Sequence, residues 1–192
     1  MKKIIPLLLI LFLFSSNKKF KEKTIYIQPL GNVNKEYLDF LKKEVNAFYG
    51  YECVINSKIE LTEDIETVVK KNRLNADKIL KKFNSTKNLL IITEKDITHK
   101  KNNEFPEWGI FSLGYRPGST CVISTSRLKN NVTKQKMLER LKKVALHEIG
   151  HNLGLPHCTN DKECMMSDAD GTIAQVDREK IRFCSQCWNK LK

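Results

Sequence analysis

Histidine is scarce in this chain: four occur among 192 residues. Long apolar runs are scarce as well. The longest, Ile4 to Phe14, falls short of the ~20 residues that a transmembrane helix needs. No internal repeat is present, and the length predicts one domain, at most with a small appendage. Nothing resembles a helix-turn-helix, a nucleic-acid-binding finger or a basic stretch interleaved with aromatics. The formal net charge of +12 therefore does not point to nucleic acid. The lysines fall in scattered pairs such as Lys70-Lys71, Lys100-Lys101 and Lys142-Lys143. They predict a solvated surface that attracts anionic envelopes or acidic substrates at long range.

What is present begins at the N-terminus. Lys2 and Lys3 precede the apolar run, which makes a basic n-region and an apolar h-region. No small-x-small cleavage site stands out; Ser15-Ser16 comes nearest. No cysteine follows closely enough for a lipid anchor. Residues 1–16 are read as a signal peptide, or else as an uncleaved anchor that attaches the protein to a membrane. Export to the periplasm or exterior is the expectation.

Three of the four histidines lie in one stretch, His147 to His157, which reads H-E-I-G-H-N-L-G-L-P-H. His147 and His151 are four apart, so a helix puts them on one face. Two imidazoles there can grip one Zn²⁺ at about 2.0–2.1 Å. Glu148 lies beside them, placed to take a proton from an attacking water and pass it to a leaving amine. Gly154 lets the chain leave the helix, and His157 can then approach from another direction. Three neutral imidazoles leave a fourth position open, as a catalytic zinc site requires. The bland alternative, a polar helix face with satisfied histidines, leaves unexplained why three of four histidines gather here. The fourth, His99, is expected to be merely exposed.

Four of the six cysteines follow His157. Cys184 and Cys187 form a C-x-x-C pair, and five residues separate Cys158 from Cys164. Two such pairs can close a tetrahedral Cys₄ zinc site. A tail of this size has too little core to fold by burial alone, and a structural zinc would supply the missing stability. Two disulfides, or a redox C-x-x-C, are the alternatives. Cys53 and Cys121 are expected as buried strand thiols, with a bridge between them open.

The hydrophobic pattern predicts an α+β fold with a mixed sheet of four to five strands. Strands are expected at Thr24–Gln28, Tyr51–Ile55, Leu89–Thr93, Trp108–Leu113 and Cys121–Ser124. Helices are expected from Asn34 to about Phe48, over Ala76–Phe83, and from a Thr133 cap through His151. His99 to Glu107 reads as polar loop. The segment Trp108 to Gly114 could be a sheet edge that holds an extended peptide by its backbone, or an ordinary edge strand.

These motifs together resemble those of the archaemetzincins, a family of metzincin-type zinc peptidases. The family pattern is H-E-x-x-H-x-x-G-x-x-H-C, then C-x-M, then a distant C-x-x-C. Here it runs from His147 to Cys158, through Cys164-Met165-Met166, to Cys184 and Cys187. Val122 to Leu128 and, more loosely, Arg73 to Ala76 also resemble the family. The resemblance implies a metzincin-like fold over residues 17–192. It would consist of an N-terminal part, 17–154, carrying the active-site helix, and a small zinc-stabilised Cys-rich part, 155–192. It implies two Zn²⁺ per chain. His147, His151 and His157 would bind a catalytic zinc with Glu148 as general base. Cys158, Cys164, Cys184 and Cys187 would bind a structural one. Met166 would form an apolar floor beneath the catalytic metal, or Met165 if the register slips. The Cys158–Cys164 gap is one residue longer than usual, which implies a bulged loop. The expected activity is hydrolysis of peptide or protein substrates. The alternative is a non-catalytic zinc-dependent binding module of the cell envelope, against which Glu148 speaks, because zinc ligation does not need it.

Overall fold

A computed structural model describes residues 23–66, 73–168 and 171–191. The expected leader, 1–16, lies outside these residues. The chain begins with β1 (Thr24–Pro29), α1 (Lys35–Tyr49) and β2 (Glu52–Ile55). The Asn34 side chain accepts from Glu36 N at 2.9 Å and so caps α1, while Gly50 closes it with φ 68°. Next come β3 (Arg73–Asn75), α2 (Ala76–Lys82), β4 (Asn88–Thr93) and β5 (Asp96–His99). β6 (Trp108–Ile110), β7 (Ser112–Gly114) and β8 (Thr120–Ser124) lead into the long α3 (Lys134–Asn152). Two short helices, α4 (Ile173–Arg178) and α5 (Ser185–Lys190), lie in the C-terminal segment.

The main sheet is five-stranded and mixed, in the order β2-β1-β4-β8-β7, with only β7 antiparallel to its neighbour. Its central strands are apolar on both faces, as strands covered on both sides must be. Alternation sends Ile25, Ile27, Leu90, Ile92 and Ile123 toward α1 and α3. Ile91 and Val122 point the other way, toward Leu74, Ile79, Leu80 and Ile97. The C-terminal segment has no separate core among the described residues. Its Leu155, Cys164, Met165, Met166, Val176, Phe183, Cys184 and Cys187 join the first cluster.

A second sheet, β3-β5-β6, was not expected. Its strands are three or four residues long, too short to show a period. Long-range charge fixes them instead: Arg73 and Arg127 both donate to Asp96, at 2.8 Å and 2.7 Å. The expected strand Trp108–Leu113 is consequently two strands in two sheets, broken at Phe111. Ile110 pairs with Ile97 in the small sheet, whereas Ser112 pairs with Ile123 in the large one. His99 does not open a loop but ends β5, with its Nδ1 2.9 Å from Asp77. Cys53 and Cys121 are buried free thiols. A bridge between them is ruled out. β1 and β4 lie between their strands, a separation of about 14 Å, whereas a disulfide tolerates about 7 Å between Cα atoms.

Candidate active site

The α3 helix starts at Thr133, whose side chain accepts from Lys136 N at 3.3 Å. It buries Met137, Leu141, Val144 and Ala145 against the sheet, and its last two turns carry His147, Glu148 and His151. Leu153 closes the helix, and Gly154, at φ 100°, turns the chain toward His157. The ring centroids of His147 and His151 lie 4.5 Å apart, and His157 is 5.4 Å and 4.7 Å from them. One nitrogen of each ring lies within 4.8 Å of the other two.

The tautomers follow from the partners. His147 Nδ1 meets Met165 O at 2.7 Å, and His151 Nδ1 meets Leu155 O at 2.7 Å. A carbonyl only accepts, so both Nδ1 atoms carry the proton and both Nε2 lone pairs stay free for a metal. Burial holds His147 down to about 4, and burial is also the main reason His151 lies below the usual histidine value. Both rings are therefore neutral near pH 7, the form that binds metal. His157 Nδ1 is 3.2 Å from Asp168 Oδ2.

Glu148 is 5% exposed. Its Oε1 accepts from Ser112 Oγ at 2.7 Å, while Oε2 is buried and has no partner among the described residues. Burial raises its pKa, and the neighbouring His151 and the Ser112 hydroxyl oppose that rise. A Cβ at Gly114 would lie 2.6 Å from Oε2, so only glycine lets β7 pass this close to the carboxylate. A cleft of about 420 Å³ opens here, lined by the three histidines, Glu148, Asp168 and the segment Ile110–Gly114. β7 is the free edge of the main sheet. Phe111 O and Tyr115 N bond to β8, so antiparallel alternation turns the backbone groups of Ser112 and Gly114 outward, along the cleft.

The four late cysteines also converge. The Sγ atoms of Cys158, Cys164, Cys184 and Cys187 all lie within 4.8 Å of one another, and Cys158 and Cys184 are 3.6 Å apart. A tetrahedron with 2.3 Å metal–sulfur bonds has edges of about 3.8 Å, and a disulfide is about 2.05 Å. The spacing fits four thiolates around one ion. Burial opposes ionisation of Cys184, but donors from Cys187, Cys158 and Cys164 bring it down to about 7. Between Cys158 and Cys164 the chain turns at Asp161. Its carbonyl accepts from Cys164 N at 3.0 Å and from Ser167 Oγ at 2.8 Å. The two clusters are joined by backbone: Cys158 N donates to Met166 O at 2.7 Å, one residue from the carbonyl that orients His147. The Met166 thioether packs under α3, where a Cβ on Gly150 would come within 2.6 Å of Sδ.

Residues 56–192 match the model of peptidase family M54. The chain is 35% identical over 175 residues to the archaemetzincin of Methanocaldococcus jannaschii, covering 88% of this chain and 92% of that one. The chain belongs to the archaemetzincins. The fold agrees with solved structures of the family. The Archaeoglobus fulgidus archaemetzincin, complexed with malonate, superposes with a TM-score of 0.76 at 30% identity, covering 87% of this chain and 99% of that one. The Methanopyrus kandleri archaemetzincin gives 0.74 at 24% identity, covering 90% and 95%, a likeness of fold.

In this archaemetzincin the structure brings together every site residue that the sequence singled out, in two clusters. It adds Ser112, Gly114 and Asp168. Ser112 and Gly114 lie in the segment suspected as a substrate edge, but nothing local links them to Glu148. Asp168, two residues past Met166, carries no signal in the sequence.

Proposed function

We propose that the cleft hydrolyses peptide bonds, with His147, His151 and His157 holding a catalytic zinc and Glu148 serving as general base. The observation that carries this reading is the buried Oε2 of Glu148, which has no partner among the described residues and lies in the cleft beside the three imidazoles. Zinc bound there would polarise the scissile carbonyl and acidify water. The outward backbone groups of Ser112 and Gly114 align an extended substrate along β7. Glu148 takes the proton of the attacking water and returns it to the leaving amine, and Ser112 holds the carboxylate in place through Oε1. Cys158, Cys164, Cys184 and Cys187 hold a second, structural zinc, supported by their mutual spacing.

Membership of family M54 makes the chain a zinc-dependent metallopeptidase acting on peptide or protein substrates. We extend the proposal to export, on the basis of Lys2, Lys3 and the apolar run after them. Among the described residues no helix is long and apolar enough to cross a membrane.

The test combines elemental analysis with peptidase assay. The wild-type chain is expected to carry two zincs, His147→Ala one, and Glu148→Gln two. Glu148→Gln is expected to lose about 10²–10⁴-fold in rate. A Glu148→Gln protein that keeps its zinc and its full rate would overturn the assignment.

A further inference from the structure

Among the described residues the charges along the cleft are few. Glu148 belongs to the reaction, and Asp168 sits against His157. Arg116 is the only arginine or lysine among the lining residues, and among the described residues no carboxylate pairs with it. It lies two residues past Gly114, the end of β7. Gly171 also lines the cleft, and a Cβ there would lie 3.2 Å from Trp108 Nε1.

The loop that carries Arg116 is anchored. Tyr115 N donates to Thr120 O at 3.3 Å, and Gly118 N donates to Asn152 O at 3.1 Å. With its amide nitrogen turned toward these carbonyls, the buried Asn152 side chain donates in turn to Tyr115 O at 2.9 Å and Thr120 O at 3.2 Å. A Cβ at Gly118 would lie 2.4 Å from Tyr115 Cβ, so the turn is tight as well as tethered. Asn152 is the residue directly after His151, so the same helix end that carries a metal-site histidine also tethers the backbone on either side of Arg116. The loop backbone is fixed while the Arg116 side chain is exposed at the cleft, where its guanidinium offers a planar fork that matches a carboxylate.

We propose that Arg116 is a specificity-determining residue that selects substrates presenting a carboxylate at the Gly114 end of the cleft. The carboxylate comes from an acidic side chain or from a peptide C-terminus. The proposal rests on the peptidase reading of the same cleft. It differs from the general pull of a +12 chain on acidic peptides, because it is confined to one position and to one arginine.

The experiment uses the full zinc-loaded chain and quenched fluorescent peptides blocked at both ends. Glu, Gln or Lys is placed singly at three positions on each side of the cleaved bond. A second set carries Gln throughout and a free C-terminus. Wild type is expected to favour Glu over Gln by about tenfold in kcat/KM at one position, or the free over the amidated end. Arg116→Gln is expected to collapse that ratio to about one, and Arg116→Glu to turn the preference toward Lys, a gain that misfolding cannot produce. An equal Glu to Gln ratio in wild type and Arg116→Gln overturns the proposal, as does no preference at any position. If wild type cleaves no peptide, the peptidase reading fails instead. The same peptides bound to zinc-loaded Glu148→Gln, with and without Arg116→Gln, then decide the role of Arg116 by the ratio of their Kd values.

Discussion

Glu148 is pulled in two directions. Burial raises its pKa, and the Ser112 hydroxyl that donates to Oε1 stabilises its ionised form. A general base must be ionised to act, so the acidic limb of the kcat/KM profile follows this balance. Ser112→Ala removes the donor. More of the carboxyl is then protonated at any given pH, and the acidic limb is expected to move to higher pH with zinc content unchanged. A pH–rate series on the two proteins checks this; an unmoved limb would show that Ser112 does not tune the base. His147, Glu148 and His151 were legible in the sequence because a helix relates them by local spacing. Ser112 was not, because its bond to Glu148 spans 36 residues.

At the scale of elements, α3 depends on a tie to the C-terminal segment. Arg140, 5% exposed, donates through Nε and Nη2 to both oxygens of Asp177 in α4, at 2.8 Å and 2.7 Å, and through Nη1 to Leu128 O. The two-pronged geometry and the burial make this pair worth more than a surface salt bridge. Arg140→Ala is expected to lower stability by about 2 kcal/mol, read as a reduced urea midpoint with an unchanged slope. The helix itself was predicted well from its Thr133 cap and its apolar face. The tie was not, since an arginine inside an amphipathic pattern reads as solvated until its partner arrives. The break between β6 and β7 was hidden for a related reason: the run from Trp108 to Leu113 stays largely apolar through Phe111, and the partners β5 and β8 are what divide it.

Across the whole molecule, Glu179 gives stability a pH dependence of its own. It is 5% exposed, its Oε1 has no partner among the described residues, and burial raises it to about 7 against opposition from Gln175 and Lys143. Its folded pKa lies above the unfolded value near 4.5, so the folded chain holds the extra proton between these pH values. The contribution is present below 4.5 and is lost as pH rises through 7. Glu179→Gln is expected to be more stable than wild type by about 1–3 kcal/mol at pH 8, with the gap closing toward pH 5. Melting temperatures across that range provide the check. Removal of zinc acts on a different region. The core around Leu74, Ile79, Ile91, Ile97 and Val122 contains no residue of the Cys-rich segment. Chelation is expected to speed amide exchange over residues 158–187 while α2 and β5, which pack in that second core, keep their protection. Equal loss in both regions would mean that the cysteine cluster holds the entire fold.

The sequence by itself determined the histidine donor set, the two cysteine pairs, the turn at Gly154 between His151 and His157, the long helix and the strands β1, β2, β4 and β8 of the main sheet. All of these rest on periods and spacings within a few residues, which backbone geometry converts directly into shared faces. Only the tertiary structure decided which carbonyls orient the imidazoles, which glycine admits the carboxylate, and which edge lies along the cleft. It also decided that Cys53 and Cys121 stay apart, and that two arginines on Asp96 build a second sheet from strands too short to announce themselves. Those outcomes depend on groups brought together from distant parts of the chain, and their energies exist only once the sheets and α3 have packed.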